Sequence, residues 1–461
     1  MTIEPTWFGE DTSLEILSLE RADNDTTVLK FQLTNNRDEE ISTYFALADG
    51  TPTSQTVEGV SLIDVGARKQ YFPLRYGESE SPGQPQPCYC STFAEFGDKR
   101  RIKPGETQEF WAGYPALPDG VDTVSVHTPV TGTVHDIPIT GGGAPPEPLP
   151  DDHDDPIVVD LVAAREDLEE GSTREETGEQ VSVSLSADVL FDVDESTLRP
   201  DAEQALREVA EEIAESDAET VQIDGHTDNS GTDTINQPLS EDRAEAVKDE
   251  LDTLITRSGI SYETAGHGSD EPVADNRTDE GKQKNRRVTI TYDAAPAAEE
   301  MPEPASREQE SASPDASRPA GSGPAQIVPG KENRYFKELS VEVEAVRRSS
   351  HGGLASLRYR VVNHADDEST VLGGSFGSPA ICGSLPDARL NGVMLIDEQA
   401  QVQYPVLQRS DSHCLAPRGA GETVPAHESR TLWIDFWLDP SVTEVTVQVP
   451  KFEAVTGVPV T

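Results

Sequence analysis

The sequence has no run of apolar residues long enough to cross a bilayer as a helix, which takes about 18 or more. It also lacks the regular series of alternating strands that a membrane barrel requires. Basic residues are scarce: 36 Lys and Arg stand against 86 Asp and Glu, a formal net charge of −50. Such a surface repels phosphate backbones and anionic headgroups, which argues against a nucleic-acid partner. The acidity reads as solubility in a salty or alkaline exterior rather than as an acidic binding tail. The N-terminus, Met1-Thr-Ile-Glu-Pro-Thr-Trp, lacks the basic and apolar stretches of a signal peptide. The chain is then either a trimmed, exported protein or a cytosolic one. Catalytic signatures are missing too: there is no HExxH, no G-x-S-x-G and no P-loop.

Cysteines number only four, Cys88, Cys90, Cys382 and Cys414. An even count suits disulfides in an exported protein. Pairing within domains gives Cys382–Cys414 and the short Cys88–Cys90 bridge, whose tight Cys-x-Cys loop makes it strained and reducible. A metal site at Cys-x-Cys lacks partner ligands nearby. The nine histidines are scattered. His226, Asp228 and His267 share no metal-ligand spacing, so no metal and no cofactor are expected. Asp224, Asp228 and Asp233 are carboxylates that a wall-cleaving glycosidase could use, but they sit in a polar motif that binding explains.

What is present divides into three parts. A length of 461 residues suits about three domains. Residues 141–156 read GGGAPPEPLPDDHDDP, and a polar acidic stretch runs on to 180. A second Pro-, Ala-, Ser- and Glu-rich stretch covers 294–332. Both bury too little apolar surface to offset chain entropy and read as linkers. They separate a domain at 1–140, a central domain at 181–293 and a domain at 333–461.

The outer domains are diverged copies. GVSLID (59–64) matches GVMLID (392–397), and Gln70-Tyr71 matches Gln403-Tyr404 at the same separation. LKFQLTN (29–35) matches LRYRVVN (357–363). Trp111 with VDTVSV (121–126) matches Trp433 with VTEVTV (442–447), and both copies end in a Thr-Gly pattern with a following Val. Short runs with apolar residues at every second position, split by Gly, Pro, Asn and Asp, predict two antiparallel β-sandwiches of immunoglobulin-like character. Trp111 and Trp433 hold matched places and are candidate core residues.

In the central part the pattern becomes strand–helix alternation. VSVSL (181–185), VQI (221–223), YETAG (262–266) and RVTITY (287–292) read as strands. Ala202, Leu206, Val209 and Ile213 share one helical face, opened by Pro200 in the first turn. Ala244, Val247, Leu251 and Leu254 make a second stripe, with Ser240 as N-cap and Gly259 as C-cap. The order β-α-β-α-β-β predicts an α+β fold, a mixed sheet with helices on one face.

HTDNSGTDTINQPLSEDRA (226–244), GHGSDEPVADNRTDEGKQKNRRV (266–288) and VLFDVDESTLRP (189–200) resemble the OmpA C-terminal family, also typified by peptidoglycan-associated lipoprotein and the flagellar stator protein MotB. Lys282 stands where an Arg is more usual. The resemblance implies binding of the diaminopimelate side chain of the peptidoglycan stem peptide, a carbon bearing both an ammonium and a carboxylate. It also implies that Asp228 takes the ammonium and Arg243 the carboxylate, through the two-pronged geometry of a guanidinium. With Ser240 as cap, Arg243 falls in the first helical turn, where a cation is disfavoured unless an anion sits nearby. The plain alternative is a surface salt bridge, worth about 0–1 kcal/mol. Asp194 either offers a backbone N–H to the ligand or turns back on its own backbone. Thr227 belongs to the same motif. Asn236 and Leu239 shape the loop wall, Asn236 equally as a tie between loop and sheet. Arg286 and Arg287 read as ion-pair partners more than as rim residues.

The expectation is therefore a non-enzymatic, extracytoplasmic anchor to the cell wall, associated with the wall or the outer membrane. Its partner is the stem peptide, and other envelope proteins meet the sandwiches. On that reading the export signal has been trimmed. The alternative is a wall-remodelling or sensing protein whose sandwiches carry a second binding or catalytic activity.

Overall fold

The computed structural model describes residues 2–6, 9–22, 26–43, 47, 56–79, 86–91, 101–143, 145–151, 153–169, 171–294, 326–329, 339–366, 369–370, 392–417 and 423–461. The chain forms two compact units. One holds residues 1–161, 323–396 and 405–461; the other holds 162–322 and 397–404. The three-domain expectation is revised here, because both outer copies fall in a single unit.

Within that unit the copies share one strand order. In the first, Thr2–Thr6, Gly9–Ala22, Thr26–Asn35 and Thr107–Pro115 form an antiparallel sheet in that order. In the second, Gln326–Pro329, Leu339–Arg348, Leu354–Asn363 and Ser429–Trp437 do the same. A second layer repeats as well. Ser61–Asp64 pairs with Thr123–Thr128, which pairs with Gly132–Pro138; Met394–Asp397 pairs with Glu444–Gln448, which pairs with Val455–Pro459. In copy one, Leu29, Phe31 and Leu33 from one layer and Leu62, Val126 and Val134 from the other share one core. Trp433 is buried, while Trp111 is half-buried and meets Tyr89 edge-on at 5.0 Å.

The repeated Thr-Gly has a backbone reason. Gly132 has φ 77° and Gly457 φ 68°, a left-handed conformation that L side chains rarely adopt. A Cβ on Gly132 would lie 2.6 Å from the Trp433 ring, so this glycine also admits the tryptophan of the other copy. A buried carboxylate joins the copies. Asp435, fully buried on Ser429–Trp437, accepts from the Thr133 and Ser356 hydroxyls and lies 3.2 Å from His127 Nδ1. A carboxylate taken out of water is tolerable only with such donors around it, and His127 and Thr133 come from the other copy. The Cys88–Cys90 bridge is formed, with Cα atoms 5.3 Å apart. Cys414 is disulfide-bonded, and Cys382 lies outside the described residues.

The central unit contains strands β1 (Val158–Asp167, entering at Val162), β2 (Thr173–Glu176), β3 (Gln180–Ser186), β4 (Thr220–Gly225), β5 (Ser261–Gly266) and β6 (Arg287–Asp293). Its helices are α1 (Ala187–Leu190), α2 (Ala202–Glu215), α3 (Asp233–Leu254) and α4 (Asp279–Asn285). The sheet order is β1-β2-β3-β6-β4-β5, antiparallel except for the parallel β4–β5 pair. Leu206, Val209 and Ile213 of α2 and Val247 and Leu251 of α3 share one core with Val183, Val221, Ile223 and Ile290, so both helices cover the same face. None of the described helices is long and apolar enough to cross a membrane.

Several expectations are corrected. Residues 141–180 are not all linker: Thr140–Gly143 pairs with Gly9–Ala22, and β1 and β2 form a hairpin that extends the sheet from β3. Arg174 anchors the hairpin by pairing with Glu176 and with Glu212 of α2. Gln326–Pro329 likewise takes strand form within the 294–332 stretch, by pairing with Leu339–Arg348. Helix α3 starts after Thr232, so Ser240 is an interior residue and not the cap. Pro238 is carried inside the helix, where it removes one ladder bond without ending it. Pro200 precedes the cap Asp201 of α2, and α3 ends at Ile255, leaving Gly259 (φ 97°) in the turn beyond.

Asn35 and Asn363 end matched strands and are both fully buried. Asn35 donates to the carbonyls of Glu39 and Ile102 at 2.9 and 2.8 Å and accepts from Arg37 N–H. Asn35→Ala leaves those groups unpaired and should lower the stability of the outer unit by about 1–3 kcal/mol. Trp7, Trp111, Trp433 and Trp437 all belong to that unit, so urea unfolding followed by tryptophan fluorescence reads it directly. An unchanged midpoint would count against the assigned role.

Candidate functional site

The site is built at the carboxyl ends of β4 and β5. These strands run in parallel register, Asp224 beside Ala265 and Gly225 beside Gly266, and α3 lies across their ends. The approach is close enough that a Cβ on Gly225 would lie 2.0 Å from the Ser240 carbonyl oxygen, and one on Gly266 would lie 2.5 Å from Glu241 N. Ser240 is fully buried; its hydroxyl donates to the Gln237 carbonyl at 2.8 Å and accepts from Gly268 N–H at 3.0 Å. Ser240 therefore ties the loop after β5 to α3 instead of capping the helix.

Asp228 lies in the loop after β4 and is buried. Its Oδ1 accepts from Ser230 N–H at 2.7 Å, and its Oδ2 accepts from Arg286 Nη1 at 2.6 Å. Burial pushes this carboxyl up, but the bonds from Arg286 and Ser230 outweigh burial and hold it below the ordinary aspartate value. Arg286 follows α4 and also grips Asp188 of α1 through two parallel bonds, Nε to Oδ1 at 2.9 Å and Nη2 to Oδ2 at 2.6 Å. Asp188, Arg286 and Asp228 thus form one chain of charge-assisted bonds.

Arg243 projects from the third turn of α3, beyond the reach of the helix N-terminal dipole, so the first-turn argument for an anion does not hold. Burial supplies a different one. Arg243 is only 5% exposed. Its Nε donates to the Glu195 carbonyl at 2.9 Å, and its Cζ lies 5.1 Å over the Phe191 ring. No hydrogen bond engages its terminal nitrogens among the described residues. Burial lowers its affinity for a proton most; the charges of Asp188 and Asp194 pull the other way, and Arg286 adds to the lowering.

Asp194 is exposed, with φ 61° in the left-handed region. Among the described residues its carboxylate does not turn back onto backbone, and its N–H has no partner. Thr227 donates to the Asp228 carbonyl at 3.0 Å. Asn236 donates to the carbonyls of Asp228 and Ser230 at 3.3 and 3.1 Å, so it ties the loop to α3. Leu239 is half-buried on α3. Asp228 and Arg243 border one linked set of charges: Arg286 bonds both Asp228 and Asp188, and the charges of Asp188 and Asp194 act on Arg243. Asp188, Phe191 and Glu195 escaped the sequence reading. Arg286 was legible as an ion-pair residue, but not as the partner of Asp228. Three aspartates face two arginines, and such a mixture suits a ligand carrying both signs.

The family model of the OmpA family matches residues 190–286. The chain is 43% identical over 111 residues to Outer membrane protein A of Bordetella avium, covering 23% of this chain and 55% of that protein. It is 36% identical over 111 residues to the Putative lipoprotein YfiB of Escherichia coli, covering 24% of this chain and 68% of the relative. The chain thus spans about half the length of the first of these relatives. Among solved structures, the peptidoglycan-associated lipoprotein from Burkholderia pseudomallei is 28% identical, over 23% of this chain and 87% of that one, with a TM-score of 0.20.

The lowered Asp228 carboxyl gives a pH prediction with a definite sign. Its contribution to stability is complete above the ordinary aspartate range. It is lost as the pH falls from the unfolded value down through the depressed folded one. Arg286→Gln removes the largest cause of the depression and should flatten the acid limb of central-unit unfolding. All described helices belong to that unit, so circular dichroism at 222 nm follows it. Identical acid limbs for wild type and variant would refute the assignment.

Proposed function

The chain belongs to the OmpA family through its central domain, and on that premise we propose that this domain binds peptidoglycan non-covalently through a diaminopimelate-type stem peptide. The reading rests above all on the half-engaged guanidinium of Arg243: buried, held by Nε, with its terminal fork unpaired among the described residues. The fork nitrogens are not among the atoms sealed from solvent without a partner, so a ligand can reach them and supply acceptors that the protein itself does not. A carboxylate accepts both prongs of a guanidinium in one plane. The ammonium on the same carbon then meets Asp228, and the unpaired Asp194 N–H faces a second ligand oxygen. Phe191 under Arg243 and the Arg286 chain hold the receptor in place before the ligand arrives, which reduces the ordering cost of binding.

The names of the relatives, an outer membrane protein and a lipoprotein, agree with a place in the cell envelope. The protein then acts as a wall anchor and not as an enzyme. We read the two outer copies as immunoglobulin-like modules that meet other envelope proteins.

Co-sedimentation with purified, diaminopimelate-containing peptidoglycan tests this reading. Wild type should pellet. Arg243→Ala and Asp228→Ala should each weaken binding by about 10–100-fold, the equivalent of one or two charge-assisted hydrogen bonds. Arg243→Lys keeps the charge but loses the fork, and should recover little. Full binding by Arg243→Ala would sink the proposed site, and a wild type that stays in the supernatant would sink the function.

A further inference from the structure

The parallel register of β4 and β5 has a second result beside the proposed wall site. Gly225 and Gly266 are opposite one another, so the next residue of each strand, His226 and His267, falls side by side. Their rings stack with centroids 4.9 Å apart. Glu271, one short loop further on, places Oε1 3.5 Å from His267 Nδ1, while Asp224 of β4 places Oδ1 2.9 Å from His267 Nε2.

His267 thus has a carboxylate oxygen near each ring nitrogen, and a cation between Nδ1 and Glu271 would be met by both. His226 is 4% exposed, and its Nδ1 is buried with no hydrogen-bond partner. A buried polar atom of that kind calls for an explanation.

We propose that His226, His267 and Glu271 bind one divalent transition-metal ion of the zinc class, with Asp224 orienting His267 from behind. Two imidazoles and a carboxylate form a known zinc donor set. A carboxylate on the far nitrogen of a ligating histidine fixes its tautomer and raises its basicity. Bonds of about 2.0–2.2 Å in a tetrahedron put ligand atoms roughly 3.3–3.6 Å apart, and the His267–Glu271 pair already has that spacing at 3.5 Å. The three ligand atoms lie within 4.8 Å of one another, so the widest gap closes by roughly 1 Å when the ion enters. Arg287 opposes a cation, and the Asp224 and Glu271 charges offset it. His267 also lines an open cleft with Asp233, Gln237 and Asp270, a path for an ion from solvent. The sequence reading weighed His226 and His267 with Asp228; Glu271 joins the two histidines only in the fold.

The test is titration of the full chain with Zn2+ against a chromogenic chelator, beside His267→Gln, Glu271→Gln and Asp224→Asn, with Ca2+ as a control for the many surface carboxylates. Wild type should show one site per chain. His267→Gln and Glu271→Gln should weaken it at least tenfold, and Asp224→Asn by about 10–100-fold. Co2+ should give a tetrahedral visible spectrum that His267→Gln abolishes. His226→Gln alters a buried position, so its loss of binding counts only where circular dichroism shows the fold intact. If wild type has no Zn2+ site tighter than those remaining in His267→Gln, the proposal is overturned.

Discussion

The central unit depends on one close approach: α3 crossing the ends of β4 and β5 at Ser240. Two glycines make it possible, because any side chain at Gly225 or Gly266 would penetrate the helix backbone. Ser240 then uses its hydroxyl in both directions, to its own helix and to the loop after β5. From that point the chain leaves β4 toward Asp228 and leaves β5 toward Glu271, and α3 carries Arg243 one helical turn further on. A shift of α3 along the sheet would move the candidate receptor and the histidine pair together.

Charge organises what the backbone has brought near. Within a chain of formal charge −50, acceptors are plentiful and guanidinium groups are few, so where each arginine spends its donors is informative. Arg286 spends its donors on Asp188 and Asp228 and locks α1 to the loop after β4. Arg243 spends one donor on a carbonyl and withholds the fork. Both are shielded from water, one about a third exposed and the other scarcely at all. In that setting a structural arginine and a recognition arginine differ mainly in how many donors the protein itself satisfies.

Much of this was legible in the sequence. The buried stripes of α2 and α3 stand out because a helix repeats its face every three or four residues, and Leu206, Ile213, Val247 and Leu251 are all fully buried. The outer repeat stands out because strand pairing and left-handed glycines both constrain sequence. The start of α3 was hidden by Pro238, which reads as a breaker, and by Thr232, which caps through its backbone conformation without a side-chain bond. The β1–β2 hairpin was hidden by composition: it is rich in acids, and what holds it is the ladder to β3 together with ion pairs such as Arg174–Glu212 and Lys284–Glu166. Ion pairs such as Arg286–Asp228 and contacts such as His226–His267 leave no periodic trace, because the partners are separated by 58 and 41 positions of chain.

The outer unit follows the same logic with a different result. Its two copies could have remained separate beads on linkers, as their shared strand order would allow. Asp435 is one of the groups that tie them together, beside Asp136 with Ser349 and Ser350, and Arg358 with the Thr131 carbonyl. A fully buried carboxylate on copy two needs hydroxyl and imidazole donors, and Thr133 and His127 of copy one provide them. Matched alignment places Gly113 of copy one opposite the Asp435 position, since Trp111 and Trp433 correspond. Gly113 meets the Tyr89 ring at a distance no side chain could share. At matched strand positions one side carries a glycine that admits an aromatic ring and the other an aspartate that reaches across. The first and last thirds of the chain belong to one unit, and the central domain lies between them in sequence.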